Sequence, residues 1–196
     1  AAEGVAAYAL GAWERRDARI SNYRDGSVAF ERLDVEFPVG WSLHATNIVA
    51  QKYFRGPMDS PERESSLRQV IDRVVSTVTG WGVEGGYFAD EPEALAFSGE
   101  LTWLLVHQRV AFNSPVWCII GGKGAPKQAS ACFILSVEDT MDSILSWYRE
   151  EGVIFKGGSG AGVNLSGIRS SYERLSSGGS PSGPVSFMRG ADASAG

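Results

Sequence analysis

Apolar positions fall into distinct patterns along the chain, and each pattern predicts a different kind of element. Near the start, Arg19-Ile20-Ser21-Asn22-Tyr23-Arg24 and Ser27-Val28-Ala29-Phe30 flank an Asp25-Gly26 pair. An Asp-Gly step between two strand-like runs is the turn chemistry of a β-hairpin. Helical spacing then takes over. Ser42 to Arg55 reads as a helix ended by Gly56-Pro57. Ser60-Pro61 opens a second helix, in which Leu67, Val70, Ile71, Val74, Val75 and Val78 share one face before Gly80 closes it. A third helix runs from about Pro92 to Gln108, with Leu95, Phe97, Leu101, Leu104 and Leu105 as its apolar contacts.

The character changes at Phe112. The run Phe112-Asn113-Ser114-Pro115-Val116-Trp117-Cys118-Ile119-Ile120 is expected as a strand. A loop, a strand over 130–137, a helix over 139–155, a glycine loop and a strand over 162–166 follow. This alternation predicts an α/β layer whose sheet is buried on both faces. Residues 167–183 are rich in Ser and Gly and read as a long surface loop, a class that is usually functional or disordered. Pro184 to Gly196 begins like the approach to a helix or strand and then stops, so the chain is read as the N-terminal portion of a larger protein. The expected division is an N-terminal extension over 1–15, a hairpin and helical region over 16–110, and the start of an α/β part over 111–196.

Composition narrows the function classes. With 196 residues, 43% of them hydrophobic, the chain can bury one large core or two small ones. A net charge of −5 argues against a broad nucleic-acid face, while single nucleotides remain admissible ligands. No apolar run has the length of a membrane span, and Ala1-Ala2-Glu3-Gly4-Val5 lacks a basic signal-peptide start. Cys118 and Cys132 are too few for a disulfide framework, and no His/Cys spacing suggests a metal site. A reducing, cytoplasmic setting is the default. His44 and His107 receive no role.

Several local features admit two readings each. Cys132 lies in the buried-looking strand Ala129 to Val137, where an inert core thiol is the simpler reading. The small residues Ala129, Ser130 and Ala131 nevertheless leave room for a ligand. Asp139-Thr140-Met141-Asp142-Ser143 most simply caps a helix, and free amides at such an end can also hold a ligand. Lys156-Gly157-Gly158-Ser159-Gly160-Ala161-Gly162 lacks the Lys-Ser/Thr ending of a phosphate loop and the spacing of a dinucleotide fingerprint. It reads first as a helix C-cap and turn, with Lys156 complementing the helix end. Asn113 to Trp117 could be a plain connector, and Arg169 a solvated loop charge. Singly, none decides the function.

Together these blocks resemble the adenosylcobalamin-dependent (class II) ribonucleotide reductases. The resemblance rests on Phe112 to Trp117, Ser130 to Ile134, Val137 to Ile144, Phe155 to Ser166 and Gly183 to Gly190 in that order, with Arg16 to Ile20 and Ala45 to Val49 in accord. It implies a helical N-terminal region followed by the first strands of a ten-stranded α/β barrel, incomplete in this chain. It also implies reduction of ribonucleotides to 2′-deoxyribonucleotides by thiyl-radical chemistry initiated by adenosylcobalamin. On this likeness Cys132 matches one of two reducing cysteines, and Ser114, Ala131 and Gly160 match positions lining the substrate. Asp139, Thr140 and Met141 match the helix start that holds a deoxynucleoside triphosphate effector, with Lys156 and Arg169 near its ribose and phosphates. The helix over 139–155 would help form a homodimer interface. A thioredoxin-type reductant would act through a C-terminal part.

The family pattern is not met everywhere. Cys118 stands where the family more often has an aromatic residue and is read as a packing thiol. Ser176-Ser177 occupy the place of a second phosphate-loop arginine found in class I relatives, leaving Arg174 as a candidate substitute. The thiyl cysteine, the second reducing cysteine and most cobalamin contacts are expected beyond Gly196, so the chain alone is expected to be inactive. The competing expectations are a non-catalytic nucleotide-binding and dimerisation module of the same family, and a class I large subunit. The latter is disfavoured because the start does not resemble an ATP cone.

Overall fold

A computed structural model describes residues 7–58, 60–122 and 129–196. Residues 1–6 of the expected N-terminal extension lie outside the described residues. The chain divides into two compact units, Ala1–Ala129 and Ser130–Gly196. The expected boundary at 110/111 therefore falls inside the first unit.

In the first unit, β1 (Trp13–Ser21) and β2 (Val28–Pro38) pair antiparallel, with Ile20 opposite Phe30 and Trp13 opposite Pro38. The hairpin is longer than its sequence signal, and Gly26 takes φ +73° in the turn. A register shift between Arg16 and Ala18 leaves Asp34 at φ +57°, where its N–H donates to Asp17 Oδ1 at 3.0 Å. This bulge keeps Ala18, Phe30, Val35 and Phe37 buried on one face.

That face meets α1 (Leu43–Lys52) and α2 (Leu67–Glu84) in one core. The side chain of Ser42 caps α1 by accepting from Ala45 N at 3.1 Å. The second helix starts later than expected. Ser66 and Gln69 form a reciprocal capping box, whereas Ser60 and Pro61 sit in turns. The anticipated face is buried at Leu67, Val70, Ile71, Val74 and Val75. Each such side chain contributes roughly 2 kcal/mol, so packing rather than propensity holds α2. Gly80 does not close it; α2 runs on to Glu84. A Cβ on Gly82 would stand 2.4 Å from the Phe88 ring, so glycine there admits the ring against the helix.

Asp90 caps α3 (Glu91–Val106), and its end turns through Gln108 at φ +54°. The Arg109 N–H donates to Leu104 O at 2.9 Å and that of Gln108 to Leu105 O at 3.2 Å, which closes the last turn.

The expected strand at Phe112–Ile120 is a helix, α4 (Ser114–Ile119). Asn113 is extended at the N-cap position and Pro115 occupies the first turn, where its missing N–H costs nothing. Val116 and Ile120, four apart, are then both buried against Val74.

In the second unit, β3 (Cys132–Leu135) and β4 (Gly160–Val163) pair in parallel, joined through α5 (Met141–Lys156). Both strands differ from the expected 130–137 and 162–166, because the glycine run itself pairs with β3. The sheet is not buried on both faces: Ile134 is 92% exposed and Cys132 is exposed, which also corrects the expectation of a buried thiol. The core lies instead among Val137, Ile144, Trp147, Ile168 and Ala191, the last on α6 (Pro184–Ala195). Tyr148 ties the two helices by donating to Phe187 O at 2.6 Å.

Candidate functional site

Ser114 belongs to the first unit, and the other expected site residues to the second. Ser114 is exposed at the first position of α4, and its Oγ lies 2.8 Å from the Tyr53 hydroxyl. Tyr53 stacks on Trp117 with centroids 6.3 Å apart and planes at 26°. Beneath this pair Arg73 spans several elements. Its Nε and Nη2 donate to Glu64 at 2.8 and 3.2 Å, Nη2 to Tyr53 O at 3.2 Å, and Nη1 to Trp117 O and Ile120 O at 3.1 and 2.7 Å. Cys118, one turn beyond Ser114, donates weakly to Lys52 O at 3.7 Å and is half-buried, as befits a packing thiol.

Three further residues meet at one end of the parallel pair. Cys132 is directly opposite Gly160, and the Gly160 N–H donates to Ala131 O at 2.9 Å. Gly160 has an ordinary φ, and a Cβ there would lie 3.7 Å from Cys132 Sγ, in normal contact. The backbone therefore does not demand glycine. What its absent side chain leaves is open space beside an exposed sulfur. Ala131 itself is buried.

At the start of α5, Thr140 is the N-cap, its hydroxyl accepting from Ser143 N at 3.3 Å. The Asp139 carboxylate pairs with Arg169 Nε at 2.5 Å, and Arg169 Nη2 reaches Asp139 O at 3.4 Å. Both side chains stay part-exposed. They edge a cavity of about 330 Å³ also lined by Thr140, Met141, Leu175 and Phe187. Four of the five residues expected at an effector site thus converge. Lys156 does not: it ends the 16-residue helix α5, about 22 Å along the helix axis from Met141 at 1.5 Å per residue. Among the described residues no cluster of His, Cys, Asp and Glu could hold a metal, and no helix is long and apolar enough to cross a membrane.

Sequence reasoning passed over Tyr53 and Arg73. Neither belongs to a recognisable motif, and Tyr53 stands 61 residues from the serine it meets.

Comparison with known proteins identifies the family of each unit. Residues 14–108 match the family model described as class II vitamin B12-dependent ribonucleotide reductase, and residues 130–196 match the ribonucleotide reductase barrel domain. A vitamin B12-dependent ribonucleotide reductase of Streptomyces coelicolor is 61% identical over 98% of this chain and 20% of its own length. One from Rhodopirellula baltica is 42% identical over 99% of this chain and 21% of its own. A vitamin B12-dependent ribonucleoside-diphosphate reductase of Mycobacterium tuberculosis is 38% identical over 34% of this chain and 10% of its own. The chain thus spans about a fifth of the length of the first two of these relatives. With both of its units matched, the chain belongs to the class II, vitamin B12-dependent ribonucleotide reductase family.

Proposed function

We propose that this chain supplies part of the substrate site, one reducing thiol and the effector site of an enzyme that converts ribonucleotides to 2′-deoxyribonucleotides. The observation that carries the proposal is the exposed Cys132 thiol facing the unfilled space at Gly160. A reductant that must reach C2′ of a ribose needs a sulfur with no side chain in front of it. Cys132 and a second thiol outside this segment give up two electrons and two protons. The 2′ C–O bond breaks, the hydroxyl leaves as water, C2′ gains a hydrogen and a disulfide forms. Exchange with a thioredoxin-type dithiol would restore the pair. A thiyl radical on a further cysteine, also outside this segment, would open the sequence by taking the ribose 3′ hydrogen. Ser114 and Ala131 are the other residues of this chain proposed to line substrate, and the name ribonucleoside-diphosphate reductase borne by the Mycobacterium tuberculosis relative supports diphosphate substrates.

Adenosylcobalamin, which the family implies, is far larger than a cavity of about 370 Å³ such as the one lined by Trp147 and Met188. Its binding residues are expected mainly outside this segment.

The cavity at the start of α5 suits a deoxynucleoside triphosphate. Asp139 can accept from a sugar hydroxyl, and Arg169 retains guanidinium donors for a phosphate. Lys156 could reach the same nucleotide only from a second copy. Met141 and Leu145, exposed one turn apart on α5, supply apolar surface that such a homodimer would cover. Two free thiols and the net charge of −5 fit a cytoplasmic enzyme that handles single nucleotides rather than nucleic acid.

The decisive experiment replaces Cys132 with Ser in a full-length reductase carrying this sequence. Multiple turnover with a dithiol reductant should be abolished while effector binding persists. Wild-type steady-state rates would overturn the assignment.

A further inference from the structure

We infer that Tyr53 is a positioning residue for Ser114, fixing the serine hydroxyl as a hydrogen-bond donor toward the substrate. The inference rests on the proposal above that Ser114 contacts substrate. A hydroxyl carries one hydrogen and two acceptor sites. Placed beside the substrate's phosphates, whose ionised oxygens only accept, Ser114 must direct its single hydrogen at the ligand. The 2.8 Å contact between the two hydroxyls then has one available sense, in which Tyr53 donates and Ser114 Oγ accepts. In that sense the Tyr53 dipole polarises the serine O–H and strengthens its outward bond. It also holds a side chain that would otherwise sample three staggered rotamers.

Tyr53 is itself held for this task. Its N–H donates to Val49 O at 2.9 Å, its ring stacks on Trp117, and its carbonyl accepts from Arg73. The same guanidinium grips the end of α4 through Trp117 O and Ile120 O. The backbones bearing the two hydroxyls are thus referenced to one largely buried, planar group. Ser114 is exposed while Tyr53 is half-buried, so the serine faces outward and the tyrosine backs it. A tyrosine serving packing alone would need only its ring.

The test measures KM and kcat for a ribonucleotide in a full-length reductase carrying this sequence, with Tyr53→Phe, Ser114→Ala and the double substitution. Phenylalanine keeps the ring and its stacking. Tyr53→Phe should raise KM about fivefold, the size of one net hydrogen bond, and leave kcat nearly unchanged. The double variant should be no worse than Ser114→Ala, because Tyr53 acts only through that serine. A KM effect of Tyr53→Phe that persists in the Ser114→Ala background would overturn the inference. So would a Tyr53→Phe enzyme with unchanged KM, whether or not its melting temperature falls, when Ser114→Ala does raise KM. If Ser114→Ala leaves KM untouched, the substrate role of Ser114 fails first and the inference falls with it.

Discussion

Replacing Arg73 with Met should loosen the first unit more than any other single charge removal. The side chains of Arg73 and Glu64 are only 10% and 12% exposed. Methionine preserves the apolar stem and removes every donor. The Glu64 carboxylate then keeps just the Arg55 N–H at 2.8 Å, and the carbonyls of Tyr53, Trp117 and Ile120 lose their shared partner. Breaking a buried pair from one side costs about 3–5 kcal/mol. The surviving Arg55 contact places the expected loss near the lower end, at about 3 kcal/mol. Adding Glu64→Gln to Arg73→Met should restore about 1–2 kcal/mol, because no uncompensated charge remains, while the carbonyls stay unpaired. Urea unfolding followed by tryptophan fluorescence is a suitable assay, since five of the six tryptophans lie in the first unit. A loss below about 1 kcal/mol for Arg73→Met, the scale of a surface pair, would refute the view of this guanidinium as the tie between α1, α2 and α4.

Gly160→Ala should fold normally, as a Cβ finds only ordinary contacts, yet raise the substrate KM by filling the space beside Cys132; an unchanged KM would count against a ligand there. Asp139→Ala should weaken deoxynucleoside triphosphate binding by about tenfold, the scale of a hydrogen bond to a charged group, and unaltered affinity by calorimetry would remove the effector assignment. Gln108→Gly should stabilise the chain by about 1 kcal/mol, because Gln108 sits at φ +54° where side chains are disfavoured; thermal melting would register the gain. Burial, reinforced by the hydrogen bond Tyr8 donates to Asp72, pushes the Tyr8 phenol well above its ordinary value of about 10. A raised folded value favours the neutral phenol, so its stabilisation is complete below pH 10 and lost as pH climbs above it. Tyr8→Phe should flatten that alkaline loss, and identical slopes between pH 9 and 11 in denaturant titrations would argue otherwise.

The sequence spoke most clearly where periodicity met burial. The apolar face of α2 could be named residue by residue because five of the six expected positions are buried together. It misled where short runs carry mixed signals. Val116-Trp117-Cys118-Ile119-Ile120 has strand-like composition, yet Asn113 and Pro115 start a helix, and a segment this short has too few turns for a period to decide. The glycine at 160 suggested a loop but pairs with β3, since glycine composition says nothing of a partner strand. Of the candidate site, the Asp139, Thr140, Met141 and Arg169 grouping was legible only through family resemblance, because the arginine comes from a loop 30 residues away. The tyrosine behind Ser114 left no local trace at all.

The parallel pair that carries Cys132 has a dynamic consequence. Among the described residues, β3 and β4 hydrogen-bond only to each other, and two strands alone are marginal in water. The unit's cohesion comes instead from α5 and α6 closing on Trp147, Ile144 and Ala191. Amide exchange in this chain should therefore be slow along α5 and fast in the strand bearing the thiol. The sulfur rides on a weakly paired strand, so its rigidity is expected to be lent by whatever next lies against Ile134.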